Sequence, residues 1–315
     1  MKLVTFRRSK TISFGALISS QGQQAGIIAL PFTSIHDFLK DSAANLKIVQ
    51  SHVDAALAGK AELIPLDQVE LLSPIPNPPS MRDGYAFRQH VETARRNRGL
   101  DMIPEFDQFP IFYFTNHQAV TGPGPVAVLP RHLEKLDFEL EVAIVIGKKG
   151  RNISVSQADD YILGYTIMND WSARALQMEE MKLNLGPAKG KDFATSLGPW
   201  LVTRDELHKQ GQLRASPQGE IFDAKMKAFL NGKQYSEGNV NQMNWTFAQI
   251  IERASYGATL YPGDVIGSGT VGTGCFLELN GSKITDNLWL KVGDTMVLEV
   301  EGLGRLENQI VEEKL

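Results

Sequence analysis

Residues 135–149 read "KLDFELEVAIVIGKK", and two glutamates alternate with apolar residues at the start of its apolar run. Phe138, Leu140, Val142, Ile144 and Ile146 form an unbroken apolar file, as residues two apart do on one face of a strand. Glu139 and Glu141 share the other face, which turns apolar at Ala143 and Val145. Two like charges at the end of a face bound for the interior repel each other and resist dehydration. Asp83 in "SMRDGYAF" and Asp170 in "GYTIMNDWSAR" are placed similarly, the latter where an apolar strand gives way to a helix expected from about Asp170. Carboxylates that converge in a partly buried place call for a counter-charge. Oxygen ligands, with no HExxH pair and no CxxC, favour Mg²⁺, with Mn²⁺ or Ca²⁺ as alternatives, over Zn²⁺. The ordinary readings are an N-cap for Asp170, a turn residue for Asp83, and the wet face of an edge strand for the glutamates. Asp137, on the same side one step earlier, has no assigned role.

Positioning these groups needs a strand-rich frame. "KLVTFRR", "ISFGALIS" and "QAGIIAL" read as a small β-meander, followed by helical spacing over 34–59 with Ser34 or Asp37 as cap and Gly59 as stop. Four prolines in "SPIPNPPS" exclude helix and central strand, and mark a boundary near residues 72–80. The expected organisation is a small N-terminal α/β domain over 1–75 and a larger domain over 76–315. The latter is read as α+β and β-rich, with a helix over 91–99 and antiparallel strands joined by Asn-Gly and Gly-Asp turns in "AKMKAFLNGKQYSEG" and "WLKVGDTMVLEVEGLGRLEN". "GSGTVG" (267–272) satisfies GxGxxG, but "GCFLELNG" after it reads as a short strand and turn rather than a helix, which excludes a dinucleotide site.

The chain has 315 residues, 43% of them hydrophobic and 22% charged, with a net charge of −4. That is ordinary for a globular protein and gives no reason to expect nucleic acid or an anionic membrane as partner. Cys275 is the single cysteine, so no internal disulfide can form. With no signal-peptide core at the N-terminus and no membrane-length apolar run, a cytoplasmic protein is expected.

"MRDGYAFRQHVE", "LDFELEVAIVIGK", "GYTIMNDWSARALQ", "GPAKGKDFATSLGPWLV" and "IGSGTVGTGCFLEL", in this order, resemble the fumarylacetoacetate hydrolase family over roughly residues 72–315. The resemblance implies a mixed antiparallel β-roll, a homodimer, a divalent metal and a small diketo-acid substrate. Carried over by position, Asp83, Glu139, Glu141 and Asp170 match the family's metal carboxylates, with Lys191 and Thr195 of "GKDFAT" beside the metal. His90 matches the histidine that activates water in the hydrolytic, fumarylacetoacetase-like branch, and Glu278 matches its orienting carboxylate. Gln177 and Lys191 match the groups that hold the developing oxyanion. Tyr113, Thr270 and Arg174 match substrate contacts. His117 is a rival histidine without the spacing to Asp83. The family's substrate arginine falls at Gly99 here, leaving Arg96 or Arg98 to replace it, and Met181 stands where a tyrosine is expected.

The function this implies is metal-dependent hydrolysis of a carbon–carbon bond in a β-diketo acid by His-activated water. The alternative is a decarboxylase or tautomerase of a keto acid, such as oxaloacetate, on the same metal site. A metal-stabilised scaffold without turnover is the reading from another class, and it has no use for His90 with Glu278.

Overall fold

The computed structural model describes residues 1–20 and 23–314. Its large mixed sheet has eleven strands. The main path runs through Gln23–Ala29, Thr11–Ser20, Lys2–Arg8, Thr195–Thr203, Ile162–Asp170, Leu140–Ile146, Val265–Gly267, Met81–Gly84 and Phe112–Phe114. The opening meander therefore extends the sheet that carries the later strands, through Lys2 and Leu3 opposite Val202 and Leu201. A second sheet of five strands packs against it, and its Lys225–Leu230 and Lys233–Asn239 strands are joined at the expected Asn231–Gly232 turn. Both turn residues have positive φ, the left-handed conformation that such two-residue hairpins require.

The Leu140–Ile146 strand is buried on both faces, which explains its near-continuous hydrophobicity. Val142, Ile144 and Ile146 enter the core between the two sheets with Ile167, Val202, Leu298 and Ile310. Ala143 and Val145 enter the other core, closed by Ile35, Phe38 and Val49 of the N-terminal helical segment. That segment is broken rather than continuous. Ser34 caps a single turn over Ile35–Phe38, and Asp41 caps the longer Ser42–Leu57 helix. The two glutamates thus sit where a two-sided core runs out.

Three expectations give way near the site. The Ile162–Asp170 strand keeps Asp170 in the ladder opposite Thr195, and the helix begins only at Arg174, so Asp170 is no N-cap. The stretch 138–146 is not one paired strand either. Leu136–Asp137 pairs with Ser172–Ala173, and the Glu139 amide donates to Asn169 Oδ1 instead of a ladder carbonyl. Finally, Phe276–Gly281 is a helix. Its short Leu-Glu-Leu alternation imitates a strand because six residues are too few to display a 3.6-residue period. The dinucleotide reading still fails, for another reason: the amides of Phe276 and Leu277 at this helix start are already taken by Asp137, at 2.7 and 2.9 Å.

Candidate functional site

Asp83, Glu139, Glu141 and Asp170 are all buried, and each offers a carboxylate oxygen such that these atoms lie within 4.8 Å of one another. Neighbouring strands bring them together. Asp83 lies opposite Gly267 in a parallel pair, and Glu141 lies opposite Met168, two residues before Asp170. Asp83 is therefore a strand residue, and its turn reading falls away. Gly267 is required by closeness, since a Cβ there would stand 2.4 Å from Asp83 Oδ1. Gly269 turns back at φ +78° and gives its amide to both Asp83 Oδ1 and Glu141 Oε2, each at 3.1 Å. The glycines of "GSGT" thus serve the carboxylates, a role their spacing did not announce.

Two cations face the cluster. Lys191 Nζ lies 2.6 Å from Glu139 Oε2 and 2.7 Å from Asp170 Oδ2. Arg174 spends its guanidinium on the protein: Nη2 donates to Glu139 Oε1 at 2.8 Å, Nε to Asp137 Oδ2 at 2.9 Å and Nη1 to Gln177 Oε1 at 3.0 Å. With Asp137, five buried carboxylates confront two buried cations. Burial opposes ionisation of Glu139, but Lys191 and Arg174 override it and hold this carboxyl below the usual range. Burial, then the neighbouring carboxylates, push Asp83 and Glu141 well above that range. Asp170 is raised too, chiefly by burial, and its Oδ1 is a buried acceptor with no hydrogen-bond donor. An unsatisfied carboxylate oxygen inside an electron-rich, all-oxygen donor set fits a hard divalent cation.

His90, on the helix Arg88–Arg96, is buried, and its Nδ1 donates to Glu278 Oε2 at 2.7 Å. Glu278 Oε1 accepts from the Thr273 amide at 2.9 Å, which fixes the carboxylate's orientation. The surface-histidine reading of His90 and the edge-strand reading of Glu278 both fail. Thr270 Oγ1 donates to Glu141 Oε1 at 3.4 Å, and the Tyr113 hydroxyl donates to Asp170 Oδ2.

Most of these groups open on one cavity of about 1440 Å³, and Glu141 and Asp170 lie off its wall. His90, Glu278, Asp83, Glu139, Lys191, Gln177, Arg174, Tyr113 and Thr270 all reach its wall. Of the two arginines near Gly99, Arg98 lines the cavity and Arg96 does not. Met181, Lys135 and Lys283 also line the cavity, and His117 does not. Thr195 is buried opposite Asp170 but off the cavity wall.

Residues 80–311 match the family model described as fumarylacetoacetate (FAA) hydrolase C-terminal. The chain belongs to the fumarylacetoacetate hydrolase family. Enzymes of this family are generally metal-dependent, in keeping with the buried acidic cluster. Among family relatives, human mitochondrial oxaloacetate tautomerase is 30% identical over 99% of this chain and 92% of its own length. The rat mitochondrial oxaloacetate tautomerase is 32% identical over 90% of this chain and 81% of its own. A solved 2-hydroxyhepta-2,4-diene-1,7-dioate isomerase from Mycobacterium marinum superposes with a TM-score of 0.68 at 25% identity, covering 100% of both chains. Among the described residues, no helix is long and apolar enough to cross a membrane.

Proposed function

We propose that this member of the family is a metal-dependent tautomerase or isomerase of a small 2-oxo dicarboxylic acid, moving a proton between carbon and oxygen of an enolisable substrate. The observation that carries this reading is the similarity over nearly the whole chain to a relative named as an oxaloacetate tautomerase. Glu139, Glu141 and Asp170, with Asp83 beside them, would hold Mg²⁺ or Mn²⁺. Such a cation withdraws charge from the 2-oxo acid's oxygens and favours the enolate.

The chain's own residues supply the proton chemistry. Glu278 holds the His90 proton on Nδ1, which leaves Nε2 to take a proton from carbon or from the enol oxygen and to deliver one to the other. Lys191 and the Gln177 amide stand where negative charge gathers on oxygen. Arg98, Lys135 and Lys283 carry positive charge suited to the substrate's distal carboxylate. The His–Glu pair therefore does not mark hydrolysis: the proton it accepts can come from carbon as well as from water.

Carbon–carbon hydrolysis of a diketo acid is the second reading, favoured by the same buried His90–Glu278 pair, which could equally activate water. Enol-oxaloacetate offered with Mg²⁺ separates them. A tautomerase accelerates the loss of enol absorbance above the spontaneous rate and returns ketone with every carbon retained. No acceleration for enol-oxaloacetate, with cleavage of acylpyruvates instead, overturns the first reading in favour of the second.

A further inference from the structure

The two halves of the site, the carboxylate cluster and the His–Glu pair, meet at one buried group. Asp137 is fully buried and its oxygens receive four donors. Oδ1 accepts from the amides of Phe276 at 2.7 Å and Phe138 at 2.9 Å. Oδ2 accepts from the Leu277 amide and from Arg174 Nε, both at 2.9 Å.

Phe276 and Leu277 open the helix that carries Glu278, and Cys275 before them offers no side-chain cap. Asp137 supplies that cap from 139 residues away in the chain. Phe138, next to it, packs edge-to-face on Phe276 at 4.9 Å, closing the same contact from the apolar side. Arg174, on the other side, passes the connection to Glu139 through its second arm. A helix cap alone would not need a buried arginine, and a counter-ion for Arg174 alone would not need two helix amides. Asp137 does both with one carboxylate.

We infer that Asp137 is a positioning residue that fixes the proton-moving pair His90–Glu278 and the cation-binding carboxylate Glu139 in a common frame. Its activity arm rests on the proposed proton-transfer function; its cation and histidine arms do not. Asp137→Asn keeps the shape and one acceptor oxygen, and the amide nitrogen it gains is a donor that can accept from neither Leu277 nor Arg174.

The test measures three quantities in wild type and Asp137→Asn: Mn²⁺ affinity by calorimetry, the downfield Nδ1 proton of His90 by NMR of the Mg²⁺-loaded protein, and kcat and KM for enol-oxaloacetate at saturating Mn²⁺. The expected result is Mn²⁺ binding weaker by about tenfold or more, a displaced or lost His90 proton signal, and kcat lower by about tenfold or more with KM within about threefold. A folded variant in which either the cation affinity or the His90 proton is unchanged overturns the inference, as does one that only melts earlier. Absence of turnover in wild type refutes the functional reading instead, and the calorimetric and NMR arms still decide on Asp137. Should the variant not fold, wild type decides by hydrogen exchange. Mg²⁺ is expected to slow exchange of the Phe276 and Leu277 amides by about tenfold more than exchange in the remote Lys225–Leu230 strand. Equal slowing in both places overturns the inference.

Discussion

Glu278 Oε2 accepts from His90 Nδ1 at 2.7 Å across 188 residues of chain, and both side chains are buried on the wall of the cavity that Asp83 and Glu139 also line. The second carboxylate oxygen is anchored on the Thr273 amide, so the imidazole is held by a group that cannot itself swing away. This arrangement fixes the tautomer and leaves one ring nitrogen for chemistry.

His90→Ala removes the proton carrier, and kcat is expected to fall by about a hundredfold to ten-thousandfold with the fold retained. Glu278→Gln tests the orienting role separately. A glutamine cannot accept from both Thr273 and His90, because one of its two polar atoms is a donor. It is expected to lower kcat by about a hundredfold while Mg²⁺ affinity stays near wild type. Enol-absorbance kinetics and calorimetry check the pair, and a Glu278→Gln enzyme with wild-type kcat would remove the dyad from the mechanism.

The carboxylate half of this site was legible in the chain, and the dyad was not. Glu139 and Glu141 break a hydrophobic alternation, so their oddness is local and visible. His90 and Glu278 each look ordinary in their own surroundings, and only the ordered family motifs pair them. Asp137 gives no such signal, because three of its four donors are backbone amides, two of them far along the chain, which no residue type advertises. The Phe276–Gly281 helix was misread for a related reason. Its start is stabilised by the distant Asp137 and not by a local capping residue, so the usual start signal is absent. The β-rich architecture was readable from alternation and turn residues; where each strand ends near the site was not, since Asn169 and Asp137 intercept amides that regular pairing would use.

Lys191 is the only buried ammonium that both Glu139 and Asp170 touch among the described residues. Burial lowers its pKa, but Asp170 and Glu139 outweigh burial and hold it charged with its pKa above the ordinary lysine value. Lys191→Met leaves those two carboxylates facing Asp83 and Glu141 with Arg174 alone. Breaking a buried pair in this way costs about 3–5 kcal/mol, and the metal-free variant is expected to lose that much stability. A divalent cation should then raise its melting temperature more than it raises that of wild type. Thermal shift with Mg²⁺ and with chelator checks this, and equal metal increments in the two proteins would contradict it.

Gly267→Ala places a methyl group 2.4 Å from Asp83 Oδ1 and 2.8 Å from Met168 Sδ, and one of them must move. Asp83 faces the cluster, and Met168 lies opposite Glu141 in the ladder, so either displacement disturbs the same carboxylates. The expected outcome is Mn²⁺ affinity lowered by about tenfold or more, with a modest loss of stability. Calorimetry measures it; unaltered affinity would mean that Asp83 is not held against the cation by this strand contact.

The pH dependence of the metal effect follows from the same carboxylates. Asp83 and Glu141 have native pKa values raised by burial and then by neighbouring carboxylates. A raised carboxyl holds its proton more tightly in the folded chain than in the unfolded one. Its contribution to stability is therefore complete below about pH 4, where unfolded carboxylates titrate, and is lost as pH climbs through the raised native value. Glu139 runs the other way: its pKa is depressed because Lys191 and Arg174 outweigh burial. Its contribution is present above about pH 4 and disappears as acid protonates it. The metal-free protein is thus expected to lose stability through Asp83 and Glu141 as pH rises above about pH 4, and a divalent cation to restore it by taking the place of their protons. The rise in melting temperature on adding Mg²⁺ should be larger at about pH 8 than at about pH 5, and calorimetry at the lower pH should show proton release on binding. Equal increments at both pH values, with no protons released, would mean that these two carboxyls are not exchanged for the cation.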